Sequence, residues 1–412
     1  MQTDRNTLLG ARRPPRRHLT ASATSVLVLA LAVACSGTSS TGSSSAPTSA
    51  AASGAQTGGP GGGGSGGPGG GGGGNGAGNA PPPCVTATTT PSAAPASAVP
   101  TANDTAVVTN AVTKAQAFYD LLSADQKKTV MYAYTDLAKK QCSWSNYPDD
   151  NFKGRLGLRL GDLTAEQKTA ALAAVASVLS TTGYEQVVNE MHADDQLGKQ
   201  EAIYGQANYH IVLYGTPSAD TPWTLQFGGH HLAIHTSIGG GALSVSPHFS
   251  GTQPTSFELD GKTIKPLGSD ADDTFGMFAG LSTEQLATAK LSGQFQDLVM
   301  GPGTDTGYPK QEGLPYTQLD AAHQAMVKKV IADWVADASP ALADPLLAVY
   351  YSQLDQTTIS WASGTTQDNG SAYLRVDGPR IWIEWLNTSA AGGLHYHTLY
   401  RDKALDYGTG LG

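Results

Sequence analysis

The stretch WTLQFGGHHLAIHTSI (Trp223 to Ile238), read with the later GLHYHTLYRD (Gly393 to Asp402), decides how this chain folds. Both segments alternate apolar and polar residues and are rich in Trp, Phe, Tyr, Ile and Thr, the composition of a half-buried strand. Between them they carry His230, His231, His235, His395 and His397, half of the ten histidines in the sequence. Residues two apart on a strand share a face. His395 and His397 therefore point the same way, with Tyr396 opposite. The same parity pairs His231 with His235 and turns His230 away, unless Gly228 and Gly229 bulge the strand and re-aim one of them.

Further strand-like runs surround these two. ANYHIVLYGTP (Ala207 to Pro217) ends in a turn, and GALSVSPHFSG (Gly241 to Gly251) follows across SIGGG. SAYLRVDG (Ser371 to Gly378) and RIWIEWLN (Arg380 to Asn387) form a hairpin about Asp377-Gly378-Pro379. Helices announce themselves at LSADQ (Leu122 to Gln126), LTAEQ (Leu163 to Gln167) and LSTEQ (Leu281 to Gln285). In each, Ser or Thr precedes Gln by three residues, so each side chain can satisfy the other's orphan backbone donor. Asp125, Glu166 and Glu284 suit the positive end of the helix dipole. A fourth helix is expected from about Leu319 to Ala338. The similar starts do not by themselves establish a repeat. The order helices, strands, helices, strands predicts an α+β fold: one large domain over 104–412, with a mostly antiparallel sheet, helices packed on one side, and the two His segments brought together.

The first hundred residues read differently. Arg12, Arg13, Arg16 and Arg17 precede an apolar run from about Ala21 to Ala34, which ends AVACSG at Cys35. A basic start, a short apolar core and small residues before a cut mark a secretory signal over 1–35, too short to span a membrane as an ordinary helix. A cysteine at the cut suggests a lipoprotein, with lipidation of Cys35 anchoring the chain to the outside of a cell membrane; plain secretion or a retained anchor is the alternative. Residues 36–103 are almost wholly Ser, Thr, Gly, Ala and Pro, a composition that cannot bury enough apolar surface to offset its ordering entropy and reads as a disordered tether. The formal net charge of −9 and the lack of basic clusters beyond the signal argue against nucleic acid as a partner. Of three cysteines, Cys84 and Cys142 remain after Cys35, and could pair in an oxidising compartment. Thiolate-rich metal sites are excluded.

Imidazole is the commonest protein metal ligand. His230 or His231 with His395 and His397 would make a three-nitrogen site for one zinc, copper or iron ion with a fourth position open, the format of a catalytic metal centre. Glu384, expected on the strand paired with His395, could add a carboxylate. Arg401 either orients an anionic group or forms an internal ion pair with its neighbourhood at Asp402. Two blander readings compete: a metal-free polar pocket, and structural histidines. His192, His210, His248 and His323 are isolated and read as ordinary surface or core residues, His248 being near enough to the first segment to join it. No G-x-S-x-G elbow, P-loop, dinucleotide fingerprint or H-E-x-x-H is present.

WSNYP (Trp144 to Pro148), RLGL (Arg155 to Leu158), LYGTP (Leu213 to Pro217), GGHHL (Gly228 to Leu232), PHFSG (Pro247 to Gly251), VDGP (Val376 to Pro379) and LHYHTLYRD with DYG (Leu394 to Gly408) occur in this order. Together they resemble the bacterial and fungal family of domain of unknown function 3500 (DUF3500), over roughly 105–410. The resemblance implies one domain and one site, at His230, His231, His395, His397, Arg401 and Asp402, and does not include His235. It supplies no reaction. Two functions stand: an exported metal-dependent enzyme, such as a hydrolase or oxidoreductase on an unknown small-molecule substrate, or a non-catalytic binding lipoprotein for a metal or small ligand.

Overall fold

The computed structural model describes residues 84–86, 100–390 and 393–411. The residues read as a signal, Cys35 and most of the expected tether lie outside the described residues. The three capping boxes form as their sequences demand. Ser123, Thr164 and Ser282 each accept from the backbone three residues on, and Gln126, Gln167 and Gln285 reach back to the cap. They open α2 (Ala124–Val130), α4 (Ala165–Ala176) and α7 (Thr283–Ala289), while the fourth expected helix is α8 (Ala321–Val335), capped by Asp320. Sequence patterns alone left five others undetected: α1 (Thr105–Asp120), α3 (Leu137–Cys142), α5 (Thr181–Gly198), α6 (Gly268–Gly276) and α9 (Pro340–Tyr351).

The sheet is built on eight principal strands: β1 (His210–Tyr214), β2 (Trp223–Gly229), β3 (Leu232–Gly239), β4 (His248–Thr252), β5 (Thr358–Ala362), β6 (Tyr373–Asp377), β7 (Ile381–Ala390) and β8 (Gly393–Asp402). Their spatial order is β1-β2-β3-β4-β8-β7-β6-β5, every neighbouring pair antiparallel. Shorter pieces extend it: Met131–Tyr132 and Leu158–Arg159 on β1, Ala242–Ser244 on β3, and Leu314–Pro315 on β5.

Two four-stranded meanders thus meet through their last strands, and the likeness runs further. A short 3-10 turn precedes each meander, at Gln206–Asn208 and Leu354–Gln356, and the first strands begin at His210 and Thr358. Each of these second-half elements starts 148 residues after its first-half counterpart. Before them, Leu158–Arg159, a 3-10 turn at Leu160–Asp162 and the cap Thr164 recur 156 residues later as Leu314–Pro315, Tyr316–Gln318 and Asp320. In front again, α1 packs on α4 and α6 packs on α8, and α2 and α7 carry the matched capping boxes. The described residues therefore contain one pattern twice, related about the antiparallel β4–β8 pair. The shared cap grammar was the visible remnant of this in the sequence.

Strand alternation gives the sheet two buried faces. Leu232, Ile234, Leu374, Val376, Ile381, Ile383, Trp385, Tyr396 and Tyr400 join the helices in the larger core. Ala233, Phe249, Tyr373, Trp382, Leu386 and Leu399 face the other way and pack under Trp144, Leu291, Leu298, Met300 and Tyr407. Loops, with Leu137 of α3, cover most of this second face. A disulfide joins Cys84 to Cys142 at the end of α3, with the Cα atoms 5.7 Å apart. Val85, within the segment read as tether, pairs with Thr304, so the tether has a fixed point on the domain before 100.

Candidate metal centre

The first His segment is not one strand, as its pattern suggested, but a hairpin. His230 and His231 are its two-residue turn, between β2 and β3, with Gly229 opposite Leu232. The preceding glycines make the turn tight: a Cβ on Gly228 would lie 2.2 Å from the Leu232 carbonyl oxygen, and one on Gly229 would lie 2.7 Å from the Tyr209 ring. His231 takes φ of 64°. That left-handed conformation costs a non-glycine residue about 1 kcal/mol, and it aims the ring over the loop-covered face. His231 and His235 thus share the loop-covered face, as parity suggested, but His231 reaches it from the turn and not from a regular strand.

His395 and His397 stand on β8 as expected, side by side on that same face. Candidate ligand atoms of His231, His395 and His397 all lie within 4.8 Å of one another. The ring centroids of His231 are 5.6 Å from His395 and 5.2 Å from His397, and the two β8 rings are 5.0 Å apart. Gly251, opposite His397 in the ladder, makes the room: a Cβ there would lie 3.1 Å from His231 Cδ2.

The protonation states suit metal binding. Burial, reinforced by the neighbouring imidazoles, pushes His231 well below its ordinary value and His395 down to about 3. Both are neutral near pH 7, with a lone pair to offer. His395 Nδ1 and His397 Nε2 are buried without a hydrogen-bond partner among the described residues. Buried polar nitrogens are ordinarily satisfied, and two of them converging with a third imidazole fit a shared cation.

Outer groups orient the rings. His397 Nδ1 lies 3.3 Å from Asp297 Oδ1 and 3.5 Å from the Asn146 amide nitrogen, which itself donates to Asp297 Oδ2 at 3.2 Å. Burial alone would raise the Asp297 carboxyl; the His397 contact, the Leu298 N–H and Asn146 outweigh it and hold it below its ordinary value. A carboxylate on Nδ1 leaves Nε2 as the ligand atom, the common outer-shell arrangement of a metal-bound histidine. Asp297 keeps 38% of its side chain exposed, so the site reaches solvent on this side.

The other expected residues are placed as follows. His230 is not among the three convergent histidines. Its Nδ1 is 2.6 Å from Asp194 of α5, and its ring lies 3.6 Å from that of His231, backing it. His235 is sealed between Trp144 and Tyr407, with Nδ1 on the Pro247 carbonyl oxygen. His248 points to the helix side, near Ser250 and Asp337. Glu384 accepts from Val299 N–H, Met300 N–H, the Tyr373 hydroxyl and the Trp382 indole. Arg401 and Asp402 fall on opposite faces and do not pair with each other. Arg401 bonds Asp305 and Asp406, and Asp402 bonds Arg380. Glu384 and Arg401 both grip the 297–305 loop that carries Asp297.

Sequence reasoning missed Asn146, Asp194, Asp297 and Gly251. Asn146 and Gly251 did lie in the motifs WSNYP and PHFSG. Arg155 of RLGL also proves structural to the site: its guanidinium donates to the carbonyl oxygens of Ser145, Tyr147 and Gly229, tying the Asn146 loop to the residue before His230. Asp297 sits in a stretch with no readable motif.

Compared with known proteins, residues 104–409 match the family described as protein of unknown function (DUF3500). Among curated proteins and solved structures, nothing matches.

Proposed function

The chain belongs to the DUF3500 family, and we propose that it is an exported metal-dependent protein whose His231, His395 and His397 hold one zinc, copper or iron ion. The observation that carries this is the convergence of three buried imidazoles, two with ring nitrogens unpartnered among the described residues and one oriented by a carboxylate. Three nitrogen ligands without thiolate leave room for an exchangeable fourth. When bound, such an ion supplies Lewis-acid or redox chemistry to a small substrate, as in a hydrolase or oxidoreductase. In this reading Asp297 and Asn146 hold the His397 tautomer, the His230–Asp194 pair backs His231, and Glu384 and Arg401 are positioning residues that fix the 297–305 loop. The basic and apolar start ending at Cys35 supports export and lipid anchoring, and the Cys84–Cys142 disulfide suits an oxidising compartment.

A second reading, metal carriage without turnover, is favoured by burial: His231, His395 and His397 are only 3%, 6% and 8% exposed. Elemental analysis of tag-free protein beside a His395→Ala/His397→Ala variant tests the shared claim. About one ion per chain is expected in the wild type and none in the variant; a folded, metal-replete wild type without stoichiometric metal ends the proposal. Azide added to the cobalt(II)-loaded protein then separates the two readings, because a spectral change requires an exchangeable position.

A further inference from the structure

The long strand β8 carries the histidines near its start and Arg401 near its end, four residues or roughly 13 Å beyond His397 at strand spacing. There a cavity opens, of about 320 Å³. One wall is Val85 and Thr86, laid on the 303–305 loop by Val85 N–H to Gly303 O at 2.8 Å and tied to α3 by the disulfide. Leu137 and Gln141 of α3, the rings of Tyr308 and Tyr407, and Met300 supply much of the rest.

The charges in this cavity are already matched. Arg401 Nη1 lies 2.6 Å from Asp305 and 3.2 Å from Asp406, and Lys403 Nζ lies 2.5 Å from Asp377. An anion would compete with Asp305 and Asp406 for Arg401, and a cation would meet Arg401 and Lys403. Hydrogen-bonding capacity, in contrast, is left over. Gln141 is 4% exposed, yet its side-chain amide makes no hydrogen bond to another described residue, though it can donate twice and accept. Arg401 Nε is buried without a partner among the described residues. An amide with no bond to the described residues, beside a cavity lined by aromatic rings and carboxylates, calls for a ligand that is neutral, both donor and acceptor, and apolar on one face.

We propose that this cavity binds a neutral polyhydroxylated ring the size of one monosaccharide, independently of the histidine site. Ring hydroxyls donate to the remaining lone pairs of Asp305 and Asp406 and accept from the Gln141 amide, while the C–H face lies on Tyr308, whose ring face is electronegative. The Cys84–Cys142 link makes this part of the tether a part of the binding wall.

The test is calorimetric titration of the full, disulfide-intact chain with D-glucose, D-galactose, D-mannose, D-xylose and N-acetyl-D-glucosamine, with acetate and ethylammonium as charged probes. At least one pyranose should bind with a Kd at or below about 1 mM. Gln141→Leu should weaken it at least tenfold, and Thr306→Trp, on the exposed rim, should block it without disturbing the fold. His395→Ala should leave it unchanged, so failure here is separate from failure of the metal proposal. Absence of pyranose binding, wild-type affinity in both cavity variants, or tighter binding of either charged probe overturns the assignment.

Discussion

Gly251→Ala places one methyl group where the centre can least accommodate it. The new Cβ would lie 2.8 Å from the Tyr396 carbonyl oxygen, 3.1 Å from His231 Cδ2 and 3.3 Å from His231 Cβ. The φ of Gly251 is not in the left-handed region, so alanine meets no intrinsic backbone penalty. The cost is steric. Relieving contacts this short takes a shift of a few tenths of an ångström, shared between the β4–β8 ladder and the His231 ring, and overpacking a tight core typically costs about 1–3 kcal/mol. Metal–nitrogen distances tolerate only about 0.2 Å. Displacing His231 by more than that should weaken metal binding by about 10–100-fold, the range seen when a supporting group is lost. Competition of zinc between the protein and a chromophoric chelator measures the affinity, and urea melts of the metal-free form measure the packing cost. Gly241→Ala is the control: its φ of 83° strains alanine, but no atom lies within 4 Å of the new Cβ, so stability should fall while affinity holds. A folded Gly251→Ala protein that binds zinc within twofold of wild type would show that His231 is not a ligand.

Asp297→Asn removes the charge on His397 Nδ1 at a partly exposed position; zinc affinity should fall about 10–100-fold while the urea midpoint barely moves. Glu384→Gln leaves a buried amide NH₂ facing a backbone N–H or an indole N–H, so thermal stability should drop by roughly 2–4 kcal/mol, with metal affinity weakened secondarily through the Asp297 loop. Asp270 titrates in the helix layer, where burial first and the charge of Asp333 second raise it to about 7. Because the folded-state value is the raised one, stability is greatest below the unfolded carboxyl range near 3.8 and is lost as pH climbs toward 7. Asp270→Asn should therefore stabilise the protein by about 2–4 kcal/mol at pH 8 and by little at pH 4, read as the pH dependence of the melting temperature. An equal effect at both pH values would mean that Asp270 ionises freely.

The parts of the fold legible in the sequence were those written in side chains close together. The capping boxes fixed three helix starts, Asp377-Gly378-Pro379 fixed the β6–β7 hairpin, and alternation put His395 and His397 on one face. The His230–His231 turn escaped because its flanks look like continuous strand; only the glycine pair hinted at the reversal, and a bulge explained it equally well. His231 reaches the site through a left-handed φ, which parity rules do not anticipate. The outer residues were hidden for another reason. Asp297 arrives on a loop held largely by its own backbone N–H groups at Glu384, an interaction that imposes no pattern on the loop's sequence. The doubled architecture was masked likewise: Thr164 recurs as Asp320, equivalent as a cap but not as a letter.

That doubling bears on what a bound ion would be worth to the protein. His231 comes from the first meander, while His395 and His397 come from the second. The site straddles the seam between the two copies, whose sheet contact is the five-residue β4–β8 register from Thr252–Tyr396 to His248–Tyr400. An ion held by all three histidines would rivet one half to the other, so its binding energy adds directly to their cohesion and is forfeited whenever the seam opens.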